Sequence, residues 1–234
     1  MQSPSAFHKT NFFQGFVDSI PVWLGFIPVA LVLGAQAATK GLEGATVSLM
    51  TGLNFAGGSE FTAINLWTSP PHILLIVAMS CLVNSRHLMM GAAIVPYLNH
   101  QPKRKVLPTL FFMCDESWAM ALNHAERTPT RKISLTYFMG VSIPLYINWV
   151  VFTGLGAVIG PVLGDIEQYG FGMAFVAIFL VLLKGMWKGA RKSLPWLVSL
   201  VTAAITYLLV PGAWYVPAGA VAGILSAAYW SKSA

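Results

Sequence analysis

Asn84-Ser85-Arg86-His87 lies inside an apolar run that begins near Ile73 and ends near Leu98, and Arg86 is the only formally charged residue in that run. A charged side chain in hydrocarbon costs several kcal/mol. It therefore faces a bundle interior, a wet cavity or a partner of opposite sign. The polar groups that could serve Arg86 lie on either side of the run: Asn54 and Glu60 before it, Asp115 and Glu116 after it.

The rest of the chain agrees with a membrane setting. Of 234 residues, 56% are hydrophobic and 9% charged, whereas a soluble domain is about 25% charged. The fold class expected is an all-α polytopic membrane protein forming one domain over residues 1–234. It should have seven or eight hydrophobic segments, some of them broken or re-entrant. The excess of basic over acidic residues, 14 against 8, falls mostly in short clusters: Lys103-Arg104-Lys105, Arg127 with Arg131-Lys132, and 184–192. Apolar runs follow these clusters directly. The preference of Lys and Arg for the cytoplasmic side explains them without a nucleic acid. Cys81 and Cys114 read as small buried hydrophobes, and no spacing suggests a metal centre or another cofactor.

The first span is expected over 12–35, with Pro21 and Pro28 bending it and Asp18 near one end. It is too long for a cleavable leader and reads as a membrane helix. The second segment, 44–66, carries Asn54-Phe55-Ala56-Gly57-Gly58-Ser59-Glu60-Phe61 at its centre. Two adjacent glycines and an acid in a spanning run suggest a broken or re-entrant helix, which hydrocarbon tolerates only where protein or water covers it. A tight helix crossing at Gly57-Gly58 is the alternative.

In the third span, 73–98, Asn84 and His87 share a helix face, while Arg86 points about 100° away. The fourth segment, 106–122, is short and contains Asp115-Glu116-Ser117-Trp118. Arg86 is the partner of opposite sign, and only one of two adjacent acids can meet it ideally. Further spans are expected over 133–159, with Pro144 and Asn148 inside, and over 171–187, 195–210 and 214–230. An acidic loop at 161–170 carries Asp165 and Glu167.

The charges create a topological puzzle. The loop 184–192 and the stretch 127–132 belong inside, and 161–170 outside. If the fourth segment crosses fully, Lys103-Arg104-Lys105 falls outside; if it dips and returns, the triple is inside. The two halves, 12–126 and 133–230, are expected to be related, because Ser19-Ile20-Pro21 resembles Ser142-Ile143-Pro144 at an offset of 123. Internal repeats are common in transporters.

No Ser-His-Asp layout, metal cluster or nucleotide-binding motif is present, so an enzyme is not expected. A pore-lining polar repeat is equally missing. Prolines within helices, a Gly-Gly pair and a few acids with one Arg at depth fit a transporter. The inventory suits a zwitterion: Arg86 or free amides near Gly57-Gly58 for a carboxylate, Glu60 or Asp115 for an ammonium. Substrate-binding or coupling candidates are Asn54, Gly57, Gly58, Ser59, Glu60, Asn84, Arg86, His87, Asp115, Glu116 and Asn148. An exporter of another small solute, or a membrane assembly protein, are the other readings.

The stretches Asn54–Phe61, Asn84–Met90 and Asp115–Trp118, together with Gly15-Phe16 and Ser19-Ile20-Pro21, resemble the AzlC-like family over about residues 12–230. That family is the large subunit of bacterial branched-chain amino acid exporters. The resemblance implies a multi-pass protein of the bacterial inner membrane that exports valine, leucine and isoleucine, in some members also methionine. It also implies a small AzlD-like membrane partner. The mechanism expected is alternating access, with export coupled to the proton motive force. The family's Phe-Ala-Gly falls on Phe55, Ala56 and Gly57, its Asn-x-Arg-His on Asn84, Arg86 and His87, and its Asp-Glu on Asp115 and Glu116. Glu60 departs from the pattern, where the family more often carries Gln; an acid there could alter substrate choice or supply a proton-linked group.

Overall fold

The computed structural model describes residues 12–163, 193–210 and 214–231, together with Leu180, Lys184, Trp187 and Gly189. Among these the chain is helical, without strands. In order the helices are α1 (Phe12–Thr39), α2 (Gly44–Asn54), α3 (Gly57–Asn65), α4 (Ile73–Asn84), α5 (Arg86–Leu98), α6 (Lys103–Leu110), α7 (Asp115–Arg127), α8 (Leu135–Leu163), α9 (Leu194–Leu209) and α10 (Tyr215–Ser231). Among the described residues three stretches are long and apolar enough to cross a bilayer: α1, the combined α4 and α5, and α8. The span expected over 171–187, the loop acids Asp165 and Glu167 and most of the basic stretch 184–192 lie outside the described residues.

The frame is the pairing of α1 with α8. Gly15 lies against the backbone of Tyr137 and Val141, and Gly34 against that of Thr153 and Ala157. In return Gly140 abuts Phe12, and Gly156 abuts Leu31. These contacts advance in the same direction along both helices, so the helices run parallel. Lipid gives helices no hydrophobic reason to associate, and small residues let backbones approach until dispersion holds them. Phe26, Val29, Leu33, Leu145 and Trp149 are buried along the same seam.

Both short segments enter and turn back. α2 runs antiparallel to α8: Gly44 faces Val158 and Gly154, Ser48 Oγ donates to the Val150 carbonyl at 3.3 Å, and Tyr146 Oη donates to the Gly52 carbonyl at 2.8 Å. At Phe55 the chain takes a left-handed conformation, φ 45°. α3 then climbs back, so that Phe61 packs on Val32 and Ala35 near the end of α1. The second hairpin mirrors this from the other side. After α5 ends beside the start of α8, with Ile133 N–H bonded to the Tyr97 carbonyl, α6 rises until Phe111 and Phe112 meet Tyr146. α7 then descends beside α5, from Arg86–Asp115 to Trp118, whose indole N–H bonds the Met90 carbonyl. His124 finally stacks on Tyr137 near the start of α8.

Several expectations change. Segment 106–122 is not one span but the end of α6, a turn and most of α7. Lys103-Arg104-Lys105 opens α6 instead of lying in a loop. Because both hairpins return, this triple shares its end of the bundle with Arg127, Arg131 and Lys132, while Lys40 lies at the other. The break in the second segment falls at Phe55-Ala56, not at the glycines, which form the first turn of α3. Cys81 is exposed on the outer face of α4 instead of buried, because a span in lipid turns apolar residues outward as readily as inward. α9 and α10 form an antiparallel pair, with Gly219 and Gly223 against Ser199, and α10 also touches α4.

Candidate functional site

The tips of the two hairpins meet at mid-depth, where α8 passes Tyr146 to Trp149. Both hairpins present a helix N-terminus there. α3 is capped through Glu60, whose Oε1 accepts the Ala56 N–H at 2.9 Å, while Ser59 Oγ donates to the Ala56 carbonyl at 2.9 Å. α7 is capped by a reciprocal arrangement of Cys114 and Ser117, with the Cys114 N–H donating to Ser117 Oγ at 3.0 Å. Acids in both first turns, Glu60 in α3 and Asp115 and Glu116 in α7, complement the positive ends of the helices.

Between the tips lies a cavity with about 60 Å³ of room for water centres; about 10–15 Å³ suffices for one water. One wall is polar: Gly57 and Gly58 from α3, Arg86 and His87 from α5, Asp115 and Glu116 from α7. The apolar part of the lining is Phe26 and Val29 from α1, Phe55 from the first tip, and Trp149 from α8. Cys114 and Ala56 complete it.

Arg86 Nη1 donates to Asp115 Oδ2 at 2.7 Å, and the two side chains remain 31% and 22% exposed. The pair therefore borders the cavity instead of being sealed. Arg86 Nε is buried without a partner among the described residues, so part of the guanidinium's donor capacity is unused. Glu116 is 6% exposed and lies beside this pair. His87 Nδ1 bonds the Asn84 carbonyl at 3.2 Å. Arg86 and His87 reach one cavity although adjacent residues diverge on a regular helix. The helix is locally tightened at Ser85, where Ser85 N–H bonds Leu82 and Leu88 N–H bonds Ser85.

The glycine pair has a reason of its own. A Cβ at Gly57 would come within 3.0 Å of the Trp149 ring, and one at Gly58 within 3.3 Å of the Arg86 guanidinium. Their hydrogens let both groups approach the start of α3.

The remaining sequence candidates do not line the cavity. Glu60 is 1% exposed and sits behind the wall, bonded to Trp149 Nε1 at 2.6 Å. Asn54 is exposed and donates to Ser59 Oγ at 2.9 Å and to Glu60 at 3.5 Å. Ser59 serves the α3 cap. Asn84 offers its carbonyl to His87. Asn148 is buried on α8, its Oδ1 without a partner among the described residues, and is not among the lining residues. The apolar wall was missed by the sequence reading. Trp149 did carry a signal: a Trp at the centre of a span, away from the headgroups Trp favours, needs a partner for its indole N–H.

Comparison with known proteins gives a consistent result. Residues 21–163 match the family model described as AzlC protein. The chain is 26% identical over 204 residues to the branched-chain amino acid transport protein AzlC of Bacillus subtilis, covering 86% of this chain and 78% of that protein. It is 31% identical over 180 residues to an uncharacterized membrane protein of Archaeoglobus fulgidus, covering 76% and 77%. It is 25% identical over 244 residues to the inner membrane protein YgaZ of Escherichia coli, covering 98% and 97%. No solved structure matches the chain.

Proposed function

The chain belongs to the AzlC protein family of membrane transport proteins, and from that premise we propose that it exports branched-chain amino acids (valine, leucine and isoleucine) and methionine across the bacterial inner membrane, driven by the proton motive force. The observation that carries this reading is the mid-depth cavity lined by both charged and apolar side chains. Arg86 and the first amides of α3 suit a carboxylate. Asp115 and Glu116 suit an ammonium. Phe26, Val29, Phe55 and Trp149 suit an aliphatic side chain. Broken helices whose N-termini face anionic groups are a recurrent transporter device.

The two hairpins plug the cavity from opposite sides, with Tyr146 against both tips. Rocking of one hairpin at a time opens the site to one side. A cytoplasmic position for the α6–α7 hairpin is supported by Lys103, Arg104, Lys105, Arg127, Arg131 and Lys132 at its open end. Glu116, with Asp115 and His87 beside it, is the coupling candidate. The transporter works with a small AzlD-like membrane subunit, and α4 and α9, which bury no residue, offer outer faces for it.

The test is efflux of preloaded radiolabelled valine, leucine, isoleucine and methionine from cells lacking other exporters, with the chain alone and with its small partner. Efflux that requires both chains and collapses with a protonophore is expected. No efflux from a pair shown to be assembled would turn the reading to a different solute or a non-transport role.

A further inference from the structure

Glu60 is a fully buried acid with every contact accounted for, and it does not line the cavity. Its Oε1 accepts the Ala56 N–H at 2.9 Å and Asn54 Nδ2 at 3.5 Å; its Oε2 accepts the Trp149 indole N–H at 2.6 Å. Three donors converge on it from the first tip and from α8. A carboxylate, which only accepts, satisfies all three. Trp149 in turn stands edge-on to Phe26, with ring centroids 5.6 Å apart at 71°. A single acid thus ties the tip of the α2–α3 hairpin to the aromatic pair that forms the apolar wall.

We infer that Glu60 is a positioning residue for solute selectivity: through Trp149 it fixes the wall made by Trp149 and Phe26, and it carries neither solute nor proton. The inference rests on the transport reading above for its solute class. The chemistry distinguishes Glu from Gln. A glutamine has one acceptor oxygen and one amide that only donates. At this site it leaves either the Trp149 N–H or the Ala56 N–H facing another donor. The indole then turns from the tip, and the wall it shares with Phe26 moves.

The experiment compares exchange of valine and of phenylalanine by membrane vesicles holding the full chain with its small partner. Glu60→Gln, Trp149→Phe and Phe26→Ala are each expected to lower the valine preference about tenfold, the scale set by reshaping an apolar pocket. Glu60→Gln/Trp149→Phe is expected to match Trp149→Phe alone, because the indole donor that conflicts with Gln is gone. The pH profile of Glu60→Gln is expected to follow the parent.

An unchanged preference in Glu60→Gln overturns the inference, as does a flattened pH profile in that variant. Should Glu60→Gln not accumulate, Glu60→Asp, which draws the carboxylate back from the Trp149 N–H by one methylene, carries the selectivity test and the resonance measurement. A second measurement does not depend on transport. With fluorotryptophan incorporated, the Trp149 resonance, assigned by its loss in Trp149→Phe, is expected to shift in Glu60→Gln. A resonance that stays in place overturns the inference. A shifted resonance in vesicles whose parent chain moves neither solute faults the transport reading instead.

Discussion

At the scale of single residues, the ion pair of Arg86 and Asp115 matters more for transport than for folding. A sealed pair broken on one side costs about 3–5 kcal/mol, but these side chains are 31% and 22% exposed to the cavity, so water moderates the loss. Arg86→Ala is therefore expected to lower the melting temperature in detergent only modestly while abolishing solute exchange. Arg86→Lys should keep the fold and lose at least about tenfold in rate, because a point charge cannot reproduce the guanidinium fork. A chain that fails to accumulate as Arg86→Lys would mark the pair as structural. Glu116 makes a different prediction. Glu116→Gln holds that group neutral, so exchange of solute across the membrane should persist while net efflux loses its response to a protonophore; retained proton-driven efflux would remove Glu116 from coupling. These residues were legible because a lone Arg and adjacent acids are anomalous in apolar runs. The Trp149–Glu60 contact was not, because its partners are 89 positions apart: a mid-span Trp signals that its indole N–H needs an acceptor, not which residue supplies it.

At the scale of elements, the α1–α8 seam decides stability. A Cβ at Gly34 would collide with the backbone of Thr153 and Ala157, whereas Gly91 has open space around it. Gly34→Ala is expected to destabilise the protein by about 1–3 kcal/mol as an overpacked contact. Gly91→Ala should be neutral or slightly stabilising, since alanine is the better helix former. Thermal unfolding of the two variants in detergent checks the contrast, and equal effects would argue against the seam. The existence of the long helices was readable from composition and length. The position of the first break was not: Gly57-Gly58 pointed to it, but the turn is made by Phe55 in a left-handed conformation, and the glycines answer to neighbours that only the folded chain brings near.

At the scale of the molecule, the return of both hairpins fixes which loops share a side. Single cysteines at Leu42 and Thr68, in a chain with both Cys81 and Cys114 replaced, should react with an impermeant maleimide from one face of the membrane. Those at Gln101 and Thr130 should react from the other face only. Opposite labelling of Leu42 and Thr68 would mean that α2 and α3 form a crossing. The same arrangement answers the puzzle of Lys103-Arg104-Lys105. Charge alone left the fourth segment free to cross or return; the contacts of Phe112 with Tyr146 and of His124 with Tyr137 settle its path.

The hairpin α2–α3 also sets an order of events during synthesis. Ser48, Thr51 and Gly52 find their polar partners on α8, at Val150, Thr153 and Tyr146, about a hundred positions later. At about 5–20 residues per second, the ribosome needs roughly 5–20 s to supply that helix. Until then the nascent hairpin lacks its polar partners on α8, and its acid has no indole to hold. The first tip therefore docks only after α8 has emerged, and a chain stopped short of α8 presents an unhoused polar hairpin for surveillance proteases to recognise.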